Sequence, residues 1–304
     1  MIFEYLFNPK FINKQPKVMI VIGFLYASIA LLLASVVFRA YASVVMVFFS
    51  VMALLPIVYS SIKHEEHEDM VLNNEKNMLE EHGKALGKFM YLFFGLVLAF
   101  SFWYSVLPMD LNSELYEAQI ATISQINGPQ QNIEDLENID DRRITDDQKV
   151  TGEVVRNNFP VFVQILTNNT VVLMFCLIFS LLYGLGAIFI LTWNASVIGV
   201  AIGSIVKEGI SASVSLIGFS RIISYVQVIS YGLLRFTLHG IPEIAAYFIG
   251  GLAGGIISIA VIKHDYRSKK FKKVLTDSID LAIISILLLV VAAVVEVYFT
   301  PIFF

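Results

Sequence analysis

Six long apolar segments constrain this chain more than any other feature of its sequence. Each contains about twenty residues, which is the length that an α-helix needs to cross the hydrocarbon core of a bilayer. They cover residues 18–38, 42–62, 88–107, 171–193, 241–262 and 279–299. Only 15% of the residues are charged, whereas soluble domains carry about 25%. The sequence therefore predicts an all-α, polytopic transmembrane bundle.

Lysine and arginine near the ends of these segments predict the orientation, because cytoplasmic loops accumulate positive charge. Three lysines precede the first segment, and six basic residues stand between the last two, whereas residues 300–304 carry no charge. We therefore expect a cytoplasmic N-terminus and an external C-terminus. Such ends require an odd number of crossings, so a seventh crossing should lie between residues 194 and 240.

The region 194–240 is less regular than the other segments. Asn194 can cap a helix that begins at Ala195, but the apolar part of that helix is short. Residues 211–236 are long enough to cross, although they carry several serines and two arginines. Two paths remain open: a short crossing followed by an external amphipathic helix, or a re-entrant half-helix followed by a polar-faced crossing. We expect six or seven membrane helices with a broken or re-entrant segment.

Three regions are predicted along the chain. Residues 1–107 form an N-terminal three-helix membrane segment with a charged cytoplasmic hairpin at 63–88, and residues 161–304 form a C-terminal bundle. Between them lies an external acidic loop, 108–160, with eleven acidic and four basic residues. The loop should contain a short amphipathic helix over 111–126. It serves either as a solvated linker or as a docking surface for a partner.

Motifs for common chemistries are absent from the sequence. His64, His67 and Glu68 miss the H-E-x-x-H metalloprotease pattern by one residue, and a charged helix explains them better. There is no phosphate-binding loop, no G-x-S-x-G elbow, and one cysteine, Cys176. We therefore predict no catalytic, cofactor-binding or metal site, and no enzyme activity.

Glycines at helical spacing predict close packing between helices, because helix backbones can approach where side chains are small. They occur in two of the apolar regions and can pack within one chain or between two chains. The residues are Gly199, Gly203, Gly250, Gly251, Gly254 and Gly255.

A cluster of ionisable residues surrounds a glycine and a proline at 237–243. Gly240 permits a turn, and Pro242 suits the first turn of a new helix, where Glu243 would favour the helix dipole. Arg235 or His239 could pair with Glu243. The cluster is either a capped, bent helix junction or part of a proton or ion path. Glu296, near the external end of the last segment, is a second group of this kind.

These residues carry a resemblance to a known family. The run 189–199, the sequence His239-Gly240-Ile241-Pro242-Glu243 and the glycine-rich stretch 250–255 resemble the stage II sporulation protein M family, which is DUF95-like. The N-terminal half looks like that of the longer archaeal members. The resemblance carries over Asn194, His239, Gly240 and Glu243 only. It implies a membrane component without hydrolase chemistry, which in spore-forming bacteria acts during engulfment with two peptidoglycan-degrading partners.

We therefore expect a non-enzymatic integral membrane protein, a dimeric scaffold or anchor that recruits an unknown membrane or envelope protein. The alternative is a channel, or the membrane subunit of a transporter, that uses the polar region 194–243. The expected partners are the lipid bilayer and a second copy of the chain, with no nucleic acid and no cofactor. The expected location is the cell membrane, with the loop 108–160 outside.

Overall fold

Seven helices long and apolar enough to cross a membrane dominate the computed structural model, which describes residues 15–71, 75–125, 150–183, 186–213, 219–263 and 269–303. Every regular element in these ranges is helical. The helices are α1 (Val18–Val37), α2 (Ala42–Val71), α3 (Glu75–Val106), α4 (Met109–Leu115), α5 (117–125), α6 (Val150–Tyr183), α7 (Ala187–Ala212), α8 (Phe219–Lys263), α9 (Lys269–Val294) and α10 (Thr300–Phe303). The prediction of an all-α polytopic bundle is confirmed.

The fourth and fifth crossings lie elsewhere than the sequence predicted. The fourth covers Asn158–Leu182 instead of 171–193, and the fifth covers Ala187–Ala212. The chain therefore turns just before Ala187, whose N–H donates to Ser180 Oγ at 3.2 Å, and not at Asn194. Hydropathy does not separate the two helices because the residues between them in the sequence, Gly-Leu-Gly, carry no polar or charged side chain.

Glycines bring α1 and α3 into direct backbone contact. Gly23 of α1 lies against the carbonyl of Leu92, and Gly95 of α3 lies against the carbonyl of Ile20. The two helices run parallel, as expected for crossings separated by one return helix. Trp103 Nε1 also donates to Ser28 Oγ at 2.9 Å, which fastens the same pair of helices farther along.

Helix α7 lies between the N-terminal and C-terminal parts of the chain. It runs parallel to α3, because Gly199 meets Phe100 and Gly203 meets Tyr104 one turn later. Antiparallel packing joins its other side to α8, where Gly251 meets Ala187. The two parts of the chain therefore share one packed bundle.

Helices α6, α8 and α9 complete the bundle. Leu173 of α6 lies against Gly250 of α8, and Leu177 lies against Gly254, so these two helices run parallel. The glycine faces are thus occupied by this chain's own helices, and Gly255 is also buried. A homodimer cannot use these faces without first separating the helices of each copy.

The predicted broken or re-entrant segment has a simpler path. Helix α7 is long enough to cross the membrane, and α8 then continues without interruption for 45 residues. The polar stretch that complicated the sequence analysis forms the first half of α8 and packs along α7. There the hydroxyls of Ser213 and Ser224 lie 2.6 Å apart. Packing between the two helices thus explains Ser213 and Ser224, whereas Ser220 and Ser230 are exposed.

Candidate functional site

The predicted junction at 237–243 is instead the interior of a continuous helix. Pro242 lies inside α8 and not at its first turn. A Cβ on Gly240 would meet nothing within 4 Å, so this glycine supports neither a turn nor a close approach. Pro242 lacks an N–H and leaves the carbonyl of Leu238 without its usual helical partner. Membrane helices tolerate such prolines where neighbouring protein covers the freed groups.

Glu243 receives its hydrogen bond from a residue that the sequence analysis did not select. Tyr247 lies one turn later on α8, and its hydroxyl donates to Glu243 Oε1 at 2.7 Å. The ring of Tyr247 is buried, whereas Glu243 is half-buried. Arg235 lies on the same helix, but its side chain is outside the described residues. The spacing of four residues between Glu243 and Tyr247 was the signal available in the sequence.

The turn of helix that follows α9 supplies a second carboxyl group beside the first. Glu296 lies close enough to Glu243 for their charges to interact. It belongs to a turn of π-helix, Val295–Phe299, and such turns occur frequently at functional sites. Thr300 Oγ1 donates to the Val295 carbonyl at 3.1 Å and lies 3.5 Å from His239 Nδ1. The structure therefore brings His239 and Glu243 together with the π-helical turn that follows α9.

The contacts of α7 determine how deep Glu243 lies. Gly251 of α8 meets Ala187 of α7 in an antiparallel arrangement. Both helices rise 1.5 Å per residue. Glu243, eight residues before Gly251, is therefore level with Ala195, eight residues after Ala187.

The parallel contact with α3 extends this comparison. Gly199 meets Phe100, so the level of Glu243 corresponds to Leu96 of α3. Leu96 is the central residue of the apolar span Leu86–Val106. Glu243 therefore lies in the middle of the bundle, whereas the sequence had placed it near the external end. The long first half of α8 is the reason, because it extends the helix beyond this level.

Asn194 does not cap a helix. It lies inside α7, and its Nδ2 donates to the carbonyl of Ile190 at 3.0 Å, one turn earlier in the same helix. The true start of α7 is Ala187, which explains why the predicted cap has no free N–H groups to satisfy. The structure places Asn194 next to the level of Glu243, but on a different helix.

A polar cluster that the sequence analysis missed lies where the chain returns after α3. The short helices α4 and α5 fold against the bundle and bury Asn112, Tyr116 and Gln119. Gln119 Nε2 donates to the Ser43 carbonyl at 2.9 Å and to Ser196 Oγ at 3.1 Å. The expected amphipathic helix is thus present as two pieces, and its buried face is partly polar.

Three atoms in this area have no hydrogen-bond partner among the described residues: Asn112 Oδ1, Gln119 Oε1 and Thr192 Oγ1. Rotating the amide of Gln119 would not help, because the Ser43 carbonyl only accepts hydrogen bonds and requires the amide nitrogen. Burial raises the pKa of the Tyr116 hydroxyl far above its ordinary range. The buried surroundings therefore favour the neutral form of this hydroxyl.

An ion pair holds α4 to the turn between α1 and α2. Arg39 donates from Nε and Nη2 to the two carboxylate oxygens of Glu114, at 2.7 and 2.9 Å. This hydrogen bonding holds the pKa of Glu114 below its usual range. Both side chains are largely exposed, so the pair contributes little to stability.

The described side chains contain no cluster of three or more histidine, cysteine, aspartate or glutamate residues that could hold a metal ion. The side chains of His64, His67 and Glu68 lie outside the described residues. Cys176 is a free, buried thiol on α6.

Comparison with known proteins agrees with these elements. The model of the family described as stage II sporulation protein M matches residues 18–301. These residues include all seven spans except Ile302, the last residue of the seventh. The chain belongs to the stage II sporulation protein M family. This confirms the resemblance inferred from the sequence.

A relative of this family member occurs in an archaeon. An uncharacterized protein of Methanocaldococcus jannaschii is 35% identical over 154 residues, which cover 48% of this chain and 73% of the relative. No solved structure matches the chain significantly. The family membership supports an integral membrane protein and does not specify an activity.

Proposed function

We propose that this family member is a non-enzymatic membrane scaffold that recruits partner proteins through helices extending beyond the bilayer. The observation that carries the proposal is the length of α2 and α3. Their membrane spans are Arg39–Val58 and Leu86–Val106, yet α2 continues to Val71 and α3 already begins at Glu75. Crossing the membrane does not require these extensions.

The extensions form two helical arms, defined as residues 59–71 and 75–85. Thirteen and eleven residues at 1.5 Å each reach about 20 and 16 Å beyond the spans. Seven acidic and three basic residues give the arms a net negative charge. The sequence predicts that this side is cytoplasmic. A projecting, acidic helical pair suits a partner with a basic surface, because complementary charge favours encounter.

Co-purification tests the scaffold role. The full chain is tagged, cross-linked in its native membranes, and compared with a variant carrying Glu65→Lys, Glu66→Lys and Glu68→Lys on the first arm. Glu117→Lys, on the exposed face of α5, is the matched control for charge reversal on the opposite side. We expect one or more proteins in fixed ratio with the wild type and the control, and their loss from the arm variant. A wild type without any stoichiometric partner contradicts the scaffold role.

A transport function is the second candidate, and the carboxyl pair favours it. Glu243 and Glu296 lie together at mid-depth, where a charge is expensive and often marks an ion or proton path. Neighbouring carboxyl groups at membrane depth are typical of sites that bind a proton or a small cation. Against this role, a small cavity between α2, α3, α7 and α8 is lined almost entirely by apolar side chains.

Reconstitution separates the two candidates. Purified protein in liposomes is given proton, sodium and potassium gradients, and flux is compared with that of empty liposomes. The scaffold role predicts no additional flux. Flux that disappears in Glu243→Gln and Glu296→Gln, but persists in Asn194→Ala, would replace the scaffold with a transporter.

A further inference from the structure

Helix α6 exposes polar side chains in the middle of its membrane span. Gln164, Thr167 and Asn168 lie one turn apart or adjacent, so they share one face of the helix. All three are exposed, and none has a hydrogen-bond partner within the described part of the chain. The same face continues with Val171 and Met174, which are also exposed.

The depth of this polar band follows from the contacts of α6 with α8. Leu173 meets Gly250 and the two helices run parallel, so Leu166 is level with Glu243. Glu243 lies at the middle of the bundle, as derived above. The span of α6, Asn158–Leu182, gives a centre one turn farther along, at Thr170, so Asn168 lies between the two estimates. The amides of Gln164 and Asn168 therefore face outward near the centre of the bilayer.

Helix α9 shows what a lipid-facing surface looks like in this protein. Its span and that of α6 are the least covered, with 28% and 22% buried. Between Ile279 and Val291, the exposed residues of α9 other than Asp280 are large aliphatic side chains, such as Ile283 and Leu287. The mid-span face of α6 departs from this pattern. Lipid tails cannot satisfy amide groups, so an uncovered band of this kind is costly.

We propose that the exposed face of α6, around Gln164, Thr167 and Asn168, is a self-association surface that binds α6 of a second copy of this chain. Amides donate and accept hydrogen bonds, and are therefore complementary to themselves. Two copies inserted in the same orientation meet across a twofold axis at equal depth, so the band faces its own counterpart. Interhelical hydrogen bonds of this kind hold membrane helices together.

This inference rests on the proposed function in one respect: it supplies the surface through which two copies of the scaffold associate. The glycine faces cannot serve as this dimer surface, because they already contact other helices of the same chain. An unrelated helix would need amides at this same depth, whereas a second copy presents them automatically.

Cysteine cross-linking of purified protein in liposomes tests the surface. In a Cys176→Ser background, Val171→Cys, which lies on the same exposed face of α6 and keeps both amides, is oxidised with copper phenanthroline. Leu287→Cys on the lipid-facing side of α9 is the control. We expect a disulfide-linked dimer from the first variant and none from the second. No dimer from Val171→Cys, or equal cross-linking at Leu287→Cys, overturns the proposal. A mixed disulfide with a different protein in native membranes, without the homodimer, overturns it also.

A dilution series tests the hydrogen bonds. Single-molecule photobleaching of protein with Cys176 intact measures the dimer fraction as lipid is added. Each of Gln164→Leu and Asn168→Leu should weaken dimerisation roughly tenfold, while Leu287→Ala changes nothing. Protection of buried Cys176 from thiol reagents verifies the fold. Monomers at all dilutions, with partners still recruited by the arms, would refute the dimer surface but not the scaffold role. Dimers that recruit no partner would refute the scaffold role but not the dimer surface.

Discussion

Replacing Gly251 with alanine should force α7 and α8 apart. A Cβ at this position would lie 2.7 Å from the Cβ of Ala187, whereas carbon atoms pack best at about 3.5–4.0 Å. Ala187 cannot rotate its methyl group away, so the helices themselves must separate by about 1 Å. Gly240→Ala on the same helix is the matched control, because its Cβ would meet nothing within 4 Å.

The expected magnitudes follow from two opposing contributions. Alanine is favoured over glycine inside a helix by about 1 kcal/mol, and both variants gain this. Overpacking costs about 1–3 kcal/mol, and only Gly251→Ala incurs it, near the upper end because the obstruction is next to the backbone. We therefore expect Gly240→Ala to be slightly more stable than the wild type, and Gly251→Ala to be less stable by about 2 kcal/mol.

The chain contains its own reporter for this experiment. Cys176 is the single cysteine and is fully buried on α6. Its reaction with a fluorescent maleimide therefore reports unfolding during a titration with sodium dodecyl sulfate. If Gly251→Ala resisted the detergent as well as Gly240→Ala, the close approach of α7 and α8 would be refuted. The depth assigned to Glu243 would then be wrong as well, because it depends on the same contact between Gly251 and Ala187.

Two further predictions concern the cluster around α4 and α5. The free energy of unfolding of Gln119→Leu should stay within about 1 kcal/mol of the wild type in the same titration, because the substitution removes a partnerless Oε1 together with two hydrogen bonds. Gln119→Ala should be less stable by about 2 kcal/mol, because it leaves a cavity. A large loss of stability in the leucine variant would instead indicate that Oε1 binds water or an ion. Arg39 stabilises the carboxylate of Glu114, so the pKa of Glu114 is lower in the folded protein than in the unfolded chain. The stability that this pair contributes is therefore fully present above the pKa of the unfolded chain, and it is lost as the pH falls through the lower pKa of the folded protein. Stability should therefore fall slightly below about pH 4, and Glu114→Gln should abolish this acid dependence; an unchanged acid dependence would argue against the pair.

Particular residues illustrate how far the sequence could predict this structure. The length of the apolar segments predicted the helical bundle. The parity of the crossings predicted a seventh helix between residues 194 and 240, where the apolar part of the sequence looked too short to cross. The start of a new helix at Ala187 escaped prediction, because the residues before it in the sequence carry no polar or charged side chain. Gly240 and Pro242 suggested a junction, since their local preferences favour one in water. Helix α8 nevertheless continues through both residues. In a bilayer no water can replace backbone hydrogen bonds, so a helix keeps as many of them as it can.

The sequence by itself determined that the chain lives in a membrane, that its helices pack through glycines, and which family it belongs to. Those properties depend on hydropathy and on the order of residues along the chain. Only the tertiary structure decided which helices the glycines join, how Glu243 meets Tyr247 and Glu296, and that Gln164 and Asn168 face outward at mid-depth. These relations depend on the register between helices far apart in sequence. Side-chain contacts between packed surfaces set that register, and no single segment encodes it.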